Sequence, residues 1–380
     1  MPAEESPADW PRMLRAAAAG HGLHAVYQPI IDVARGVGVG YEALTRFVGY
    51  PVRSPEPWFA AAHEHGLSAE LQAAALRAAF AHRASLPPNC FLTVNVGPEV
   101  LDAGVVRAVW REQGDLRGVI VELPEHVVID DWRALEPDLN RLRSAGALLA
   151  VDDAGSGYAG LTRLLALRPA MIKLDRALIV DIDHDEAKRA LVEMVGTFAG
   201  RIDAWLLAEG IERAGELTTL ADLGVPLAQG YFLGRPAAPW AAVEFEAART
   251  LGTRARISAA AGSGAGDTLR RHLDHPPVVT DAAMAAAAFD DAAVDLVVLC
   301  DDQQRPIATL DDRSAPVPVV TPGMRINVDS PVAEAALRAI TRTDWAQPLL
   351  CTDNAGRYVG VVRIPRLIHA VSTAADQVTP

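Results

Sequence analysis

Between about residue 20 and residue 240, short apolar runs alternate with longer Ala- and Leu-rich amphipathic segments. The runs are AVYQPI (25–30), VGVGYEAL (37–44), FLTVNV (91–96), GVIVEL (118–123), ALLAVDD (147–153), MIKLD (171–175), WLLAEGI (205–211) and LAQGYFLG (227–234). Short apolar runs of this kind read as buried strands, and the longer segments between them as helices. Eight strands separated mostly by helices predict an eight-stranded α/β barrel. The first two runs break the rhythm, because Gln28 and Glu42 are only 14 residues apart and DVARG between their runs reads as a turn. A parallel crossover needs about a dozen or more residues, so these two strands are expected to pair antiparallel, leaving one strand of the barrel reversed.

A polar residue stands at or near the end of every run: Gln28, Glu42, Asn95, Glu122, Asp152, Lys173, Glu209 and Gln229. The carboxyl ends of barrel strands build the active site in this fold class, so these endings point to one shared mouth. The stretch VDDAGSGYAGL (151–161) sharpens the point. Two adjacent carboxylates repel, and burying either is unfavourable without a cation or a donor. A helix N-cap accounts for one of them, whereas a cation site accounts for both. Glu42, Asn95, Glu122, Asp152 and Asp153 offer only oxygen ligands, which suit Mg²⁺ or Mn²⁺ and are poor for zinc. Four carboxylates exceed the charge of one divalent ion, so two metal ions are expected, the arrangement suited to in-line phosphoryl displacement. Lys173 either pairs with one of the acids or orients an attacking water, and Glu209 can ligate, accept a proton or orient Lys173. Arg46, four residues past Glu42, has the planar fork that suits phosphate oxygens.

Near residue 246 the pattern changes. Residues 246–258 read as a helix, and AAAGSGAG (259–266) as a small-residue linker. Beyond it, DLVVLCDDQQRPIATL (295–310) is loosely similar to AQPLLCTDNAGRYVGVV (346–362), and each follows an Ala-rich helical segment. A duplicated α/β unit with its halves packed together is expected. The boundaries are an N-terminal tail at 1–14, a barrel at 15–245, a helix and linker at 246–274, and a paired module at 275–376.

Composition narrows the function classes. Half the residues are hydrophobic and 22% are charged, a globular balance. A net charge of -13 disfavours a nucleic-acid polymer as the main partner but leaves room for a small anion at a local cationic site. Cys90, Cys300 and Cys351 are widely spaced and read as buried free thiols of a cytosolic protein. MPAEESPADW lacks the features of a signal peptide and no run reaches membrane-span length, so a cytoplasmic protein without a membrane partner is expected.

The ordered set YQPI (27–30), EALTR (42–46), TVNVGPEVL (93–101), VELPEH (121–126), VDDAGSGYAGL, MIKLDR (171–176), LAEGIE (207–212) and AQGYFLGRP (228–236) resembles the EAL-domain phosphodiesterases over about residues 15–245. That resemblance implies a TIM-like (β/α)8 barrel with a reversed first strand, and hydrolysis of cyclic di-GMP to linear pGpG with Mg²⁺ or Mn²⁺. It puts the metal ligands at Glu42, Asn95, Glu122, Asp152 and Asp153, with Lys173 positioning the water. Glu209 and Gln229 fall at catalytic positions, Glu125 supports the loop after the aspartate pair, and Gln28, Leu44 and Arg46 fall at substrate contacts. Two positions depart from the family pattern. Ala154 replaces a large aromatic residue, and Pro124 replaces a small hydroxyl residue before Glu125, removing an N–H and fixing φ. Neither deletes a ligand, and activity is expected.

The segment 275–376 resembles a tandem CBS pair, which implies a regulatory α/β module and a homodimer. Arg363 and Arg366 stand where that family holds a ribose, and two arginines there favour an anionic ligand such as a nucleotide. Packing without any ligand is the competing reading of this module. For the barrel, the rivals are an inactive cyclic-di-GMP receptor and a metal-dependent lyase or aldolase.

Overall fold

The computed structural model describes residues 9–48, 54–124, 132–154, 167–202, 204–260, 268–291, 293–310, 321–340, 347–353 and 356–376. Eight strands close a barrel in chain order: β1 (Leu23–Asp32), β2 (Val37–Phe47), β3 (Phe91–Asn95), β4 (Val119–Pro124), β5 (Leu148–Ala154), β6 (Met171–Leu174), β7 (Trp205–Ala208) and β8 (Leu227–Ala228). The reversed strand is β1, antiparallel to both β2 and β8, while every other neighbouring pair is parallel. The hairpin follows from the short connection, which leaves no room for a crossover.

Period-2 alternation sorts the side chains. Ile30, Val39, Phe91, Ile120, Ala150, Met171, Leu207 and Leu227, one from each strand, form a single apolar cluster, and only the barrel interior brings all eight strands together. The intervening residues, such as Leu92 and Val94 on β3 or Leu149 and Val151 on β5, join a larger cluster with helix residues including Leu76, Val106, Val109, Leu139 and Leu142. Gly40 makes room for the interior, because a Cβ there would lie 2.4 Å from the Phe91 ring.

The last run is shorter than its sequence suggests. LAQGYFLG reads as a strand to 234, but β8 is only Leu227–Ala228. A Cβ on Gly230 would lie 2.2 Å from the backbone of Ile211, so the chain presses against that segment there. It then turns, with Phe232 N donating to Ile211 O at 3.0 Å and Leu233 N to Gly230 O at 3.0 Å.

A helix spans Phe245–Ala260, and two similar units follow it. The first runs β9 (Val278–Val279), a short helix Ala285–Ala288, β10 (Val297–Cys300) and β11 (Pro306–Leu310), and β12 (Thr321–Pro322) extends its sheet. The second runs β13 (Arg325–Asn327), helix Val332–Ile340, β14 (Leu349–Thr352) and β15 (Tyr358–Val362). In each, the first two strands are parallel and the next pair antiparallel. Leu296, Val298 and Cys300 share an apolar cluster with Leu350 and Val361, so the halves pack on each other. Cys300 and Cys351 are buried free thiols, whereas Cys90 is only partly buried.

This C-terminal part rests against the foot of the barrel, opposite the mouth. Arg305, held by Asp301 at 2.9 Å, donates to the carbonyls of Arg143 (2.7 Å), Ala147 (3.3 Å) and Gly146 (3.4 Å), just ahead of β5. Arg35, past the end of β1, pairs with Asp329 at 3.3 Å. Among the described residues no helix is long and apolar enough to cross a membrane.

Candidate active site

Two positions beyond the apolar interior, the inward face turns polar. Gln28 follows Ile30 on the reversed strand, Thr93 follows Phe91, Glu122 follows Ile120, Asp152 follows Ala150, Lys173 follows Met171, Glu209 follows Leu207, and Gln229 follows Leu227. Glu42, two positions past Gly40, closes the ring through its register pairing with Gln28. Asn95 stands one inward position past Thr93 and pairs in register with Glu122. Thr93, fully buried, is a member of this ring that the sequence reading passed over. Its signal was the alternation in FLTVN, where residues 91, 93 and 95 share a face.

The acids converge on Lys173. Its Nζ lies 2.7 Å from Glu209, 2.8 Å from Glu122, 3.1 Å from Asp152 and 3.7 Å from Glu42, at 1% exposure. Burial disfavours the ammonium, but Asp152, Glu122, Glu209 and Glu42 outweigh it and hold the lysine well above its ordinary range. Burial pushes Glu122 well above the usual carboxylate range; Lys173 opposes that rise, and the neighbouring acids add to it. Glu209 is pushed up to about 8, again by burial first and against the pull of Lys173.

Amides fix Glu42. Gln229 Nε2 donates to its Oε2 at 2.6 Å, and Asn95 Nδ2 to its Oε1 at 2.9 Å. Gln229 Nε2 also reaches Gln28 Oε1 at 3.0 Å, and Gln28 Nε2 donates to the carbonyl of Gly234 at 2.9 Å. The turn at Gly230 supports this network, since Ile211 N donates to Gln229 O at 3.1 Å and ties the segment after Glu209 to the segment after β8.

The remaining expected site residues fall elsewhere. Leu44 lines a cavity of about 530 Å³ beside the mouth, which Asn95 of the ring borders as well, in the size range of small-molecule sites. Arg46 turns back to its neighbour, donating to Thr45 O at 2.9 Å. Glu125 and the side chain of Asp153 lie outside the described residues. Arg363 pairs with Asp295 at 2.7 Å and Asp274 at 3.3 Å, and Arg366 donates to the carbonyls of His272 and Leu273. Both arginines offered for an anion are thus engaged within the protein.

Whether the site fits a divalent cation turns on its donors. Among the described residues, no three Asp, Glu, His or Cys side chains form a ready-made cage, and the acids are arranged around Lys173 instead. The set is nevertheless oxygen-only, and Glu122 Oε1 is buried with no hydrogen-bond partner among the described residues. A buried carboxylate oxygen left unsatisfied beside further carboxylates fits a hard cation.

Comparison with known proteins points to the same fold. An uncharacterized protein of Sinorhizobium fredii is 31% identical over 231 residues, 59% of this chain and 28% of its own length. A cyclic di-GMP phosphodiesterase of Pseudomonas aeruginosa is 31% identical over 232 residues, 57% of this chain and 39% of its own length. The chain therefore spans well under two thirds of these curated relatives. The PaMucR phosphodiesterase in complex with cyclic di-GMP superposes with a TM-score of 0.55 at 25% identity, covering 61% of this chain and 98% of the other. BlrP1 of Klebsiella pneumoniae, bound to manganese and cyclic di-GMP, gives a TM-score of 0.52 at 30% identity and covers 57% of each chain. The EAL-domain family model matches residues 11–236, more than half of the sequence, and with the reversed-strand barrel and its ring of acids this makes the chain a member of the EAL-domain family.

Proposed function

We propose that the barrel hydrolyses cyclic di-GMP to linear pGpG with the help of two Mg²⁺ or Mn²⁺ ions. The observation that carries this reading is the meeting of Glu42, Glu122, Asp152 and Glu209 on one buried ammonium, Lys173. A cyclic di-GMP phosphodiesterase among the relatives, and a neighbouring structure bound to manganese and cyclic di-GMP, support it.

Glu42, Asn95, Glu122, Asp152 and Asp153 would hold the ions, which when bound polarise the phosphate and acidify the attacking water. The protein's own groups do the rest. Lys173 holds the acids together and orients the water. Glu209, 2.7 Å from Lys173, is placed to exchange a proton with the reacting groups. Gln229 keeps Glu42 in one rotamer, with Gln28 behind it. Linear pGpG carries a terminal 5′-phosphate, so the bond that breaks is P–O3′; water's hydroxyl joins phosphorus and a proton joins O3′. The C-terminal units, read as a CBS-like pair, would regulate the barrel, and the protein would act as a homodimer.

Incubating the full chain with cyclic di-GMP and Mg²⁺ or Mn²⁺, and separating products by chromatography, tests the reading. pGpG should accumulate with wild type, and Glu42→Ala should abolish it. Binding of cyclic di-GMP without cleavage, with either metal, would replace the hydrolase by a receptor.

A further inference from the structure

Gln72 lies outside the ring of acids, on the helix Ser68–Phe80, yet it grips the strand end that carries Asn95. Its side chain is buried at 6% exposure. Gln72 Nε2 donates to the carbonyl of Asn95 at 3.0 Å, and Gly97 N donates to Gln72 Oε1 at 3.2 Å. The partners dictate the amide's orientation, because a backbone carbonyl accepts and a backbone N–H donates. Across the chain, Val96 N donates to Glu122 O at 3.0 Å. Residues 95–97 are thus tied on one side to the neighbouring strand and on the other to Gln72. Side-chain direction follows from backbone direction, so this double tie sets where the Asn95 amide points.

The helix behind Gln72 is firmly seated. Leu71, Ala75, Leu76 and Ala79 are buried, and Tyr27 Oη donates to the carbonyl of Ala79 at 3.0 Å. An Ala-rich face lets the helix approach closely enough for a glutamine to bridge to the strand end. With Nδ2 given to Glu42, Asn95 has its amide oxygen left as a ligand atom, and the aim of that oxygen depends on the backbone that Gln72 clamps.

We propose that Gln72 is a positioning residue for metal binding, acting through Asn95. The inference rests on the reading of Asn95 as a cation ligand and adds a partner that orients it. Groups that orient metal ligands typically contribute about 10–100-fold in metal affinity.

The test is Mn²⁺ binding to the full chain, by isothermal titration calorimetry and by the loss of free-ion EPR signal, for four proteins: wild type, Gln72→Leu, Asn95→Ala and the double variant. Gln72→Leu should weaken Mn²⁺ binding about 10–100-fold. On the Asn95→Ala background the same change should do almost nothing, since its route of action is gone. Gln72→Glu keeps the acceptor for Gly97 N and loses the donor to Asn95, so it should fall between wild type and Gln72→Leu; it also supplies a second folded variant, checked by circular dichroism. Equal Mn²⁺ affinity in wild type and Gln72→Leu, or an equal loss in both backgrounds, overturns the proposal, as does a wild type that binds no Mn²⁺. A wild type that binds Mn²⁺ and shows the coupling but leaves cyclic di-GMP intact supports this inference while refuting the hydrolase.

Discussion

Replacing Lys173 by methionine removes the cation around which the mouth is built and keeps much of the side chain's length. Without it, Glu42, Glu122, Asp152 and Glu209 would face one another without the cation they share. Removing one partner of a buried ion pair destabilises by about 3–5 kcal/mol. Asp152 and Glu209 keep 16% and 20% of their side-chain surface, so water softens the repulsion and the lower value, about 3 kcal/mol, is the better figure. For domains of roughly 150–250 residues, 1 kcal/mol moves Tm by roughly 2–4 °C, which gives a fall of roughly 6–12 °C. The assay is thermal unfolding followed by circular dichroism, in EDTA and in Mn²⁺. The loss should be greater at pH 8 than at pH 6, because carboxylates pushed above their ordinary range take up protons as pH falls and so relieve the repulsion. Mn²⁺ should restore part of the stability and none of the turnover. A variant that melts within about 2 °C of wild type in EDTA at pH 8, a shift below 1 kcal/mol, would refute the argument that Lys173 holds the acids together.

Two further predictions concern stability. Gly40→Ala places a Cβ 2.4 Å from the Phe91 ring and should destabilise by about 1–3 kcal/mol through overpacking. Adding Phe91→Leu should recover part of that loss in a double-mutant cycle, and strict additivity of the two changes would exclude the clash as the cause. Glu334, on the helix Val332–Ile340, borders a cavity of about 360 Å³ that also touches Glu193 of the barrel helix Glu186–Arg201. Burial raises its carboxyl from 4.5 to about 7, opposed by Arg338 and Arg35 and reinforced by Asp32. A folded-state pKa above the unfolded one means that stability declines as pH rises from about 4.5 to about 7 and stays lower above it, by at most about 3 kcal/mol. Glu334→Gln should flatten that part of the pH–stability curve measured by urea unfolding, and an unchanged curve would rule this carboxyl out as its source.

The sequence by itself determined the barrel, and the reason is periodicity. Apolar runs of strand length fixed where the strands lie, and the spacing of Gln28 and Glu42 forced the hairpin that reverses β1. It also marked the polar ends of those strands, because an acid at the end of an apolar run stands out against its neighbours. Alternation was read less fully than it allowed, since Thr93 shares a face with Asn95 and belongs to the ring. Only the tertiary structure decided which of these groups meet. Glu42, Glu122, Asp152 and Glu209 are separated by tens of residues and touch one ammonium because a closed sheet brings them there. Gln72 and Arg305 were illegible for a different reason: each binds backbone carbonyls or N–H groups, and these are the same at nearly every residue, so no side-chain pattern announces the partner. The engagement of Arg363 and Arg366 by acids and carbonyls was equally out of reach, because charge in a sequence does not say whether its counter-charge is already supplied within the fold.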